Sequence, residues 1–473
     1  MNQSIFDLAS TLVSPTYLTQ AISSRNNVSA LIKDLLAQRR IPEEGWSEET
    51  IEMFLREVSL WDSNNFPSQS CVGEREGRCL SSIVSRRHWK LIHGIGRSGD
   101  VNAEQPKAAG SSFLLNLTRI LVRDLLKNVF GMYNVPKEIV VLPIATGMSI
   151  MMGMTAITQM HYSVGQGVDR VNVIWSRIDQ KSCIKAMTSN PALKLHIVEQ
   201  CVNSEGILVT DFEAISALIT HLGGSLNIHS IVLTTSTFAP RTPDNVPIIS
   251  KICHTNDIPL VVNNAYGLQC TKCTHLITEA IRIGGRVDLV VSSTDKNLLV
   301  PVGGAILFGP IASRINKIYP GRASISPILD VLITILQIGK RKFIQLLQDR
   351  IEMFNYLKSQ LATLKNVSIL PNSKNNISLA LEVKHTEQHI GTQLFMRNIS
   401  GARFFVQNDT HTTIDQYSFK NFGCHTSVPI CKEYLNVACA IGMKKEEIDR
   451  FIQQMIKIHK HTENRDSSSL DTC

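Results

Sequence analysis

The chain has 473 residues, 43% hydrophobic and 19% charged, with 48 Lys and Arg against 40 Asp and Glu for a net charge of +8. That length exceeds one compact core and asks for at least two domains, in a composition ordinary for a globular protein whose modest basic excess is compatible with a polyanionic partner. No apolar run approaches the ~20 residues of a membrane span, the opening MNQSIFDLAS lacks a signal-peptide layout, and 11 scattered cysteines argue against a secreted disulfide framework, so the expectation is a cytoplasmic protein with no membrane partner.

Residues 1–60 read as a basic helical arm. Leu31, Ile32, Leu35 and Leu36 form an amphipathic stripe over 28–38, and 50–60 continues in that style, with Arg25, Lys33, Arg39 and Arg40 as candidate phosphate contacts. From 62 to 109 the chain turns to Gly, Arg, Ser and Asn, a loop region around one basic helix at 79–91. A strong helix is expected at 112–130. Short apolar runs then alternate with helical segments. The expected strands are 139–142, 171–175, 195–198, 229–235, 258–262, 287–291 and 305–308, with helices at 211–222 and 246–254 among the connections. Such alternation implies a largely parallel sheet covered on both faces, whose ligands sit at the carboxyl ends of the strands. A long helix at 327–364 leads into a smaller α/β domain, 340–460, with strands at 377–383 and 402–406 and a closing helix at 444–459. The polar tail 461–473 reads as disordered.

The stretch from Arg286 to Gly304 holds the most chemistry. A strand is followed by Ser292, Ser293 and Thr294, then Asp295 and Lys296, then a second apolar stretch. A lysine flanked by apolar segments suits a desolvated amine, which forms a Schiff base with a carbonyl. Other strand ends carry matching features. Ala145-Thr146-Gly147-Met148-Ser149 opens a helix, where free N–H groups bind phosphate. Gln180 and Asn264 follow strands and offer amides to the edge of a planar heterocycle. Two Gly-Arg loops, Gly73–Arg78 and Gly94–Asp100 followed by Gln105-Pro106-Lys107, add anion donors. Phosphate cup, ring-edge donors and lysine after strands of one sheet describe a pyridoxal 5'-phosphate site. Cys270 and Cys273 make a CxxC with no second pair at zinc spacing, so reduced thiols and no metal are expected.

The segments SNNF, GEREGR, HGIGRSGD, QPKAAGSS, ATGMS, RIDQKSC, VNNAYG, DKN, VPVGGAI, YPGRAS, SPILDVLIT, SGAR and YLN resemble the O-phosphoseryl-tRNA(Sec) selenium transferase family over about residues 11–460. The resemblance implies an α/β fold of the aspartate aminotransferase type (fold type I), with a large mostly parallel sheet domain at 61–339. It implies a homotetramer that converts phosphoserine on the selenocysteine tRNA into selenocysteine, with selenophosphate as selenium donor and no DNA partner. Lys296 would carry the cofactor, Arg75 would hold the cofactor region together with the Ala145-Thr146 turn, and Gln180 and Asn264 would meet the ring. Arg97, Ser98, Gln105 and Arg322 would grip the substrate phosphate, Glu74 would repel a free α-carboxylate, and Arg282 and Arg403 would contact tRNA. The alternatives are another fold type I enzyme, either a desulfurase or a phospho-substrate lyase, and an inactive tRNA-binding relative.

Overall fold

A computed structural model of the chain describes residues 3–136, 138–163, 170–372, 375–383 and 389–470. Its strands are β1 (Ile139–Leu142), β2 (Asn172–Ser176), β3 (Lys194–Val198), the hairpin β4 (Gln200–Val202) and β5 (Leu208–Thr210), β6 (Ile228–Thr234), β7 (Leu260–Asn263), β8 (Leu289–Ser293) and β9 (Ala305–Phe308). Among the described residues the main sheet has seven strands in the order β1-β9-β8-β7-β6-β2-β3. All pairings from β8 to β3 are parallel, while β9 runs antiparallel to both β1 and β8. Every residue of β1, β6, β7, β8 and β9 is buried. Burial on both faces is why these strands read as continuous apolar runs instead of alternating patterns.

The smaller unit is an antiparallel sheet of β10 (Val367–Ile369), β11 (Ser378–Val383), β12 (Arg403–Val406) and β15 (Glu433–Ala438), in the order β10-β11-β15-β12. The hairpin β13 (His411–Ile414) and β14 (Tyr417–Lys420) lies outside it. Leu381, Leu435, Leu357, Phe451 and Met455 share its own core, apart from the core under the main sheet.

Four sequence expectations change. The basic helix is only Ser82–Arg87, because few apolar residues there can anchor a longer one. The strand expected at 287–291 is shifted to Leu289–Ser293, which carries two serines into the sheet. β15, at the centre of the small sheet, was not foreseen. The closing helix runs on through Leu470, past the expected end at 459, so most of the tail expected to be disordered is helical.

The long helix Ser326–Ala362 is broken at Gly339, whose φ of 69° lies outside helical geometry. The arm fills the break. Lys340 N donates to Pro42 O at 2.9 Å, Arg341 N to Glu43 O at 3.1 Å, and Trp46 N to Leu336 O at 2.8 Å. A Cβ on Gly339 would stand 2.5 Å from Gly45 N. Gly339→Ala combines a positive φ with this collision, and positive-φ strain alone is worth about 1–3 kcal/mol. A thermal melt of this variant is expected several degrees below the parent. An unchanged melting temperature would show that the arm and the helix separate without penalty.

Candidate active site

Lys296 sits on a one-turn helix, Thr294–Leu298, directly after β8. Thr294, Asn297 and Leu298 are buried, which turns the lysine side chain outward. Its Nζ lies 3.3 Å from both Ser293 Oγ and Asp295 Oδ2. The side chain is 45% exposed, so the dry environment expected from the flanking apolar runs is absent from the isolated chain. The backbone around it is held firmly. Gln269 Nε2 donates to Lys296 O at 3.0 Å, and Asn297 Nδ2 donates to Ala265 O at 2.9 Å and to Ser293 O at 2.7 Å.

Two other strand ends of the same sheet, those of β1 and β2, carry the candidate phosphate and ring-edge groups. Thr146 opens the helix Thr146–Ser163 after β1, and Gln180 caps the helix Lys181–Thr188 after β2. A Cβ on Gly147 would stand 3.4 Å from Ser182 Cβ, so the two helix starts are adjacent. The hydroxyls of Thr146 and Ser149 are buried without a hydrogen-bond partner, as is that of Thr294. A buried hydroxyl without a partner is unfavourable, and two at one helix start, among free N–H groups, suit a phosphate. These residues therefore fit the phosphate end of pyridoxal phosphate. Ala145 is exposed at the mouth of the same turn.

Asn264 is fully buried. Its Oδ1 accepts from Thr235 Oγ1 at 2.7 Å and its Nδ2 donates to Ser292 Oγ at 3.1 Å. The amide is thus fixed in orientation, and each end keeps one more hydrogen-bonding position. Asp179 is consumed differently. Its carboxylate accepts from Arg177 Nε at 2.8 Å and from the N–H groups of Gly423 and His425, both at 2.7 Å. It thereby ties the small unit to the sheet.

A second group forms around the Gly-Arg loop. Ile95 and Ala323 exchange backbone hydrogen bonds of 2.9 and 3.0 Å, so Gly94–Gly99 and Tyr319–Ala323 run side by side. Arg97 and Asp100 close a tight turn, with Ser98 at φ 51°. Gln105 Nε2 reaches Gly96 O at 3.5 Å. Arg97 and Ser98 are exposed and Arg322 half-buried. Among the described residues no carboxylate pairs with either arginine. Glu74 and Arg75 are exposed, whereas Glu76 turns inward and binds Lys107 at 2.6 Å.

Sequence reasoning missed His93 and His425. His93 is buried beside this loop, with Nε2 3.2 Å from Ser63 Oγ and Nδ1 unpartnered. Burial lowers its pKa first; nearby Asp62 opposes this, and Arg322 and Lys107 add to it. His425 stacks on Phe238 with Nε2 buried and unpartnered, and burial pushes its pKa down to about 4. Histidines carry no periodic signal, so only their placement after folding marks them.

The two expected tRNA contacts lie apart. Arg403, on β12, lays its guanidinium over Phe238 at 4.8 Å, near His425 and Tyr266. Arg282 ends the helix Thr271–Arg282, about 17 Å along its axis at ~1.5 Å per residue, and is held by Glu279 through two hydrogen bonds of 2.7 Å.

Residues 61–460 match the family described as O-phosphoseryl-tRNA(Sec) selenium transferase, SepSecS. A relative of that name from Dictyostelium discoideum is 40% identical, across 97% of this chain and 99% of its own. The chain belongs to the O-phosphoseryl-tRNA(Sec) selenium transferase family. The crystal structure of the archaeal O-phosphoseryl-tRNA(Sec) selenium transferase superposes with a TM-score of 0.83 at 28% identity, covering 94% of this chain and 98% of that one. The sphingosine-1-phosphate lyase Bpss2021 of Burkholderia pseudomallei, 13% identical, superposes at 0.56 over 96% of this chain and 93% of its own and shares the fold alone. The O-phosphoseryl-tRNA(Sec) selenium transferase fold is therefore the fold type I architecture expected from the sequence, and the chain is an enzyme of that family. No helix among its described residues is long and apolar enough to cross a membrane.

Proposed function

We propose that the chain converts O-phosphoseryl-tRNA(Sec) to selenocysteinyl-tRNA(Sec) with selenophosphate, using pyridoxal phosphate held by Lys296. Membership of the family supports this reading, and the single structural observation that carries it is a strand-end lysine in the same sheet whose β1 end presents the unpartnered hydroxyls of Thr146 and Ser149. Bound pyridoxal phosphate supplies an electron sink for the bond broken at the substrate Cα. The Lys296 amine removes the Cα proton, with Ser293 and Asp295 able to position Nζ. The cofactor phosphate is assigned to Ala145 and Thr146, the cofactor region more broadly to Arg75, and the ring edge to Gln180 and Asn264. Arg97, Ser98, Gln105 and Arg322 take the phosphate that leaves Cβ, selenium from selenophosphate adds to the carbon it vacates, and water breaks the Se–P bond to release a second phosphate and leave the selenol. Glu74 repels a free α-carboxylate, which an aminoacyl ester lacks. Incubation with phosphoseryl-tRNA and selenophosphate, then analysis of the esterified amino acid, should find selenocysteine. Recovery of phosphoserine alone, or equally fast turnover of free phosphoserine, would refute the assignment.

The arm, residues 1–60, serves assembly of a homotetramer in the cytoplasm and lies near bound tRNA. Leu8, Leu12, Val13 and Tyr17 are exposed, an apolar surface suited to another subunit. Arg39 and Arg40 share a cleft of about 520 Å³ with Arg119, Arg123 and Lys127, against a single carboxylate from Asp124, which suits RNA phosphates. Arg282 and Arg403 are the further tRNA contacts, beside a sheet domain at 61–339, a small domain at 340–460 and the tail 461–473. Deleting residues 1–44 is expected to lower the mass measured by light scattering; an unchanged tetramer would sink the assembly role.

A further inference from the structure

The CxxC of Cys270 and Cys273 is unused by the chemistry above, yet its surroundings are unusual for buried thiols. Cys270 caps the helix Thr271–Arg282 and Cys273 lies in its first turn. They are 1% and 2% exposed and hydrogen-bond each other. Cys183, Cys424 and Cys439 are pushed up to about 11 by burial, as inert structural thiols are. Cys270 instead is lowered, through the Cys273 thiol first and then the N–H groups of the helix start and Arg350, against the opposing effect of burial.

Arg350 provides an independent observation. It is a buried guanidinium, 2% exposed, and among the described residues it forms no ion pair with a carboxylate. Its NH1 donates to Asn376 O at 2.7 Å, and its Nε has no partner. A buried cation favours a nearby anion, and the Arg350 charge acts to lower the Cys270 pKa. Arg350 also lines a cleft of about 420 Å³ with Lys272, the residue two places after Cys270 and directly before Cys273.

We propose that Cys270 and Cys273 are a redox-active dithiol that a hydroperoxide closes to a disulfide, disturbing the strand-end loop 264–269 and slowing the enzyme. The Cys270 thiolate attacks the peroxide oxygen, the O–O bond breaks, and a sulfenic acid forms as the other oxygen leaves as hydroxide or alkoxide. The Cys273 sulfur then attacks the sulfenic sulfur. The S–S bond forms, the S–O bond breaks, and the hydroxyl leaves with the Cys273 proton as water. A dithiol reverses this by exchange and is itself oxidised.

The coupling is short-ranged. Cys273 Sγ donates to Thr235 O at 3.2 Å, and Thr235 Oγ1 donates to Asn264 Oδ1. Oxidation removes the first donor. A Cβ on Gly267 would stand 3.0 Å from Cys273 Cβ and 1.9 Å from Asn264 Oδ1, so there is no slack between them. Cys270 N bonds Gly267 O, and the adjacent Gln269 holds Lys296 O. The effect on turnover rests on the proposed function, whereas formation of the bond does not.

The holoenzyme is treated with hydrogen peroxide, alkylated, denatured and digested with trypsin. Cleavage after Lys272 separates the cysteines, so peptides 252–272 and 273–282 should stay joined until reduced. Fragmentation should place the bond on Cys270, not on Cys253. Both cysteines fully alkylated after treatment would overturn the proposal. Turnover should fall at least tenfold and return with dithiothreitol, and the visible cofactor band should shift and return in parallel. Cys270→Ala, which leaves the Cys273 bond to Thr235 O in place, should keep its activity through the same treatment. A bond that forms while rate and band stay constant would overturn the coupling to the site. An enzyme inactive before treatment would count against the proposed reaction, and the peptides and cofactor band would still decide the switch.

Discussion

Lys296→Ala is expected to abolish turnover and the borohydride-reducible cofactor band together. Loss of a positioned general base alone lowers a rate by on the order of 10²–10⁴-fold, and here the same amine is the covalent anchor of the cofactor. The fold should survive, because the side chain is 45% exposed and makes only two 3.3 Å contacts. The buried anchors of this turn belong to Asn297 and Gln269. Circular dichroism and melting should therefore match the parent. Borohydride reduction of the parent, followed by mass spectrometry, should place the adduct on Lys296. An adduct on Lys181, at the next helix start, or on Lys272 would transfer the role.

Arg97→Ala and Arg322→Ala are each expected to lower turnover severely while the cofactor stays bound. The backbone bridge of Ile95 with Ala323 brings together the loop segments that carry Arg97 and Arg322, neither of which pairs with a carboxylate among the described residues. Guanidinium binds phosphate through two parallel donors, and a lysine has no such fork. Each charged hydrogen bond lost is worth about 1.5–3 kcal/mol, or roughly tenfold to more than a hundredfold in rate. Arg→Lys should recover only part of that. The decisive comparison is phosphate release against the cofactor spectrum in one preparation. Normal release in both variants would remove these arginines from the site, and a lost cofactor band would assign them to the cofactor phosphate instead.

The seven strands of the main sheet were all legible, within two or three residues. Central parallel strands are buried on both faces and leave continuous apolar runs that no other element explains. The positions of Lys296, Gln180, Asn264 and Thr146 after strands were legible for the same reason. β15 was hidden because YLNVA follows a region of mixed turns, and its pairing with β11 and β12 is long-range. Sequence by itself determined the seven strands of the main sheet, the strand-end placement of the lysine and the residues quoted in the family motifs. Tertiary structure alone decided the surroundings of each residue: Lys296 toward solvent and Asp295, Asn264 locked by Thr235 and Ser292, the loop of Arg322 beside the loop of Arg97, and Cys270 in the field of the buried Arg350. Those relations join residues far apart in the chain, and they exist only once burial has fixed which polar groups find partners and which are left without one.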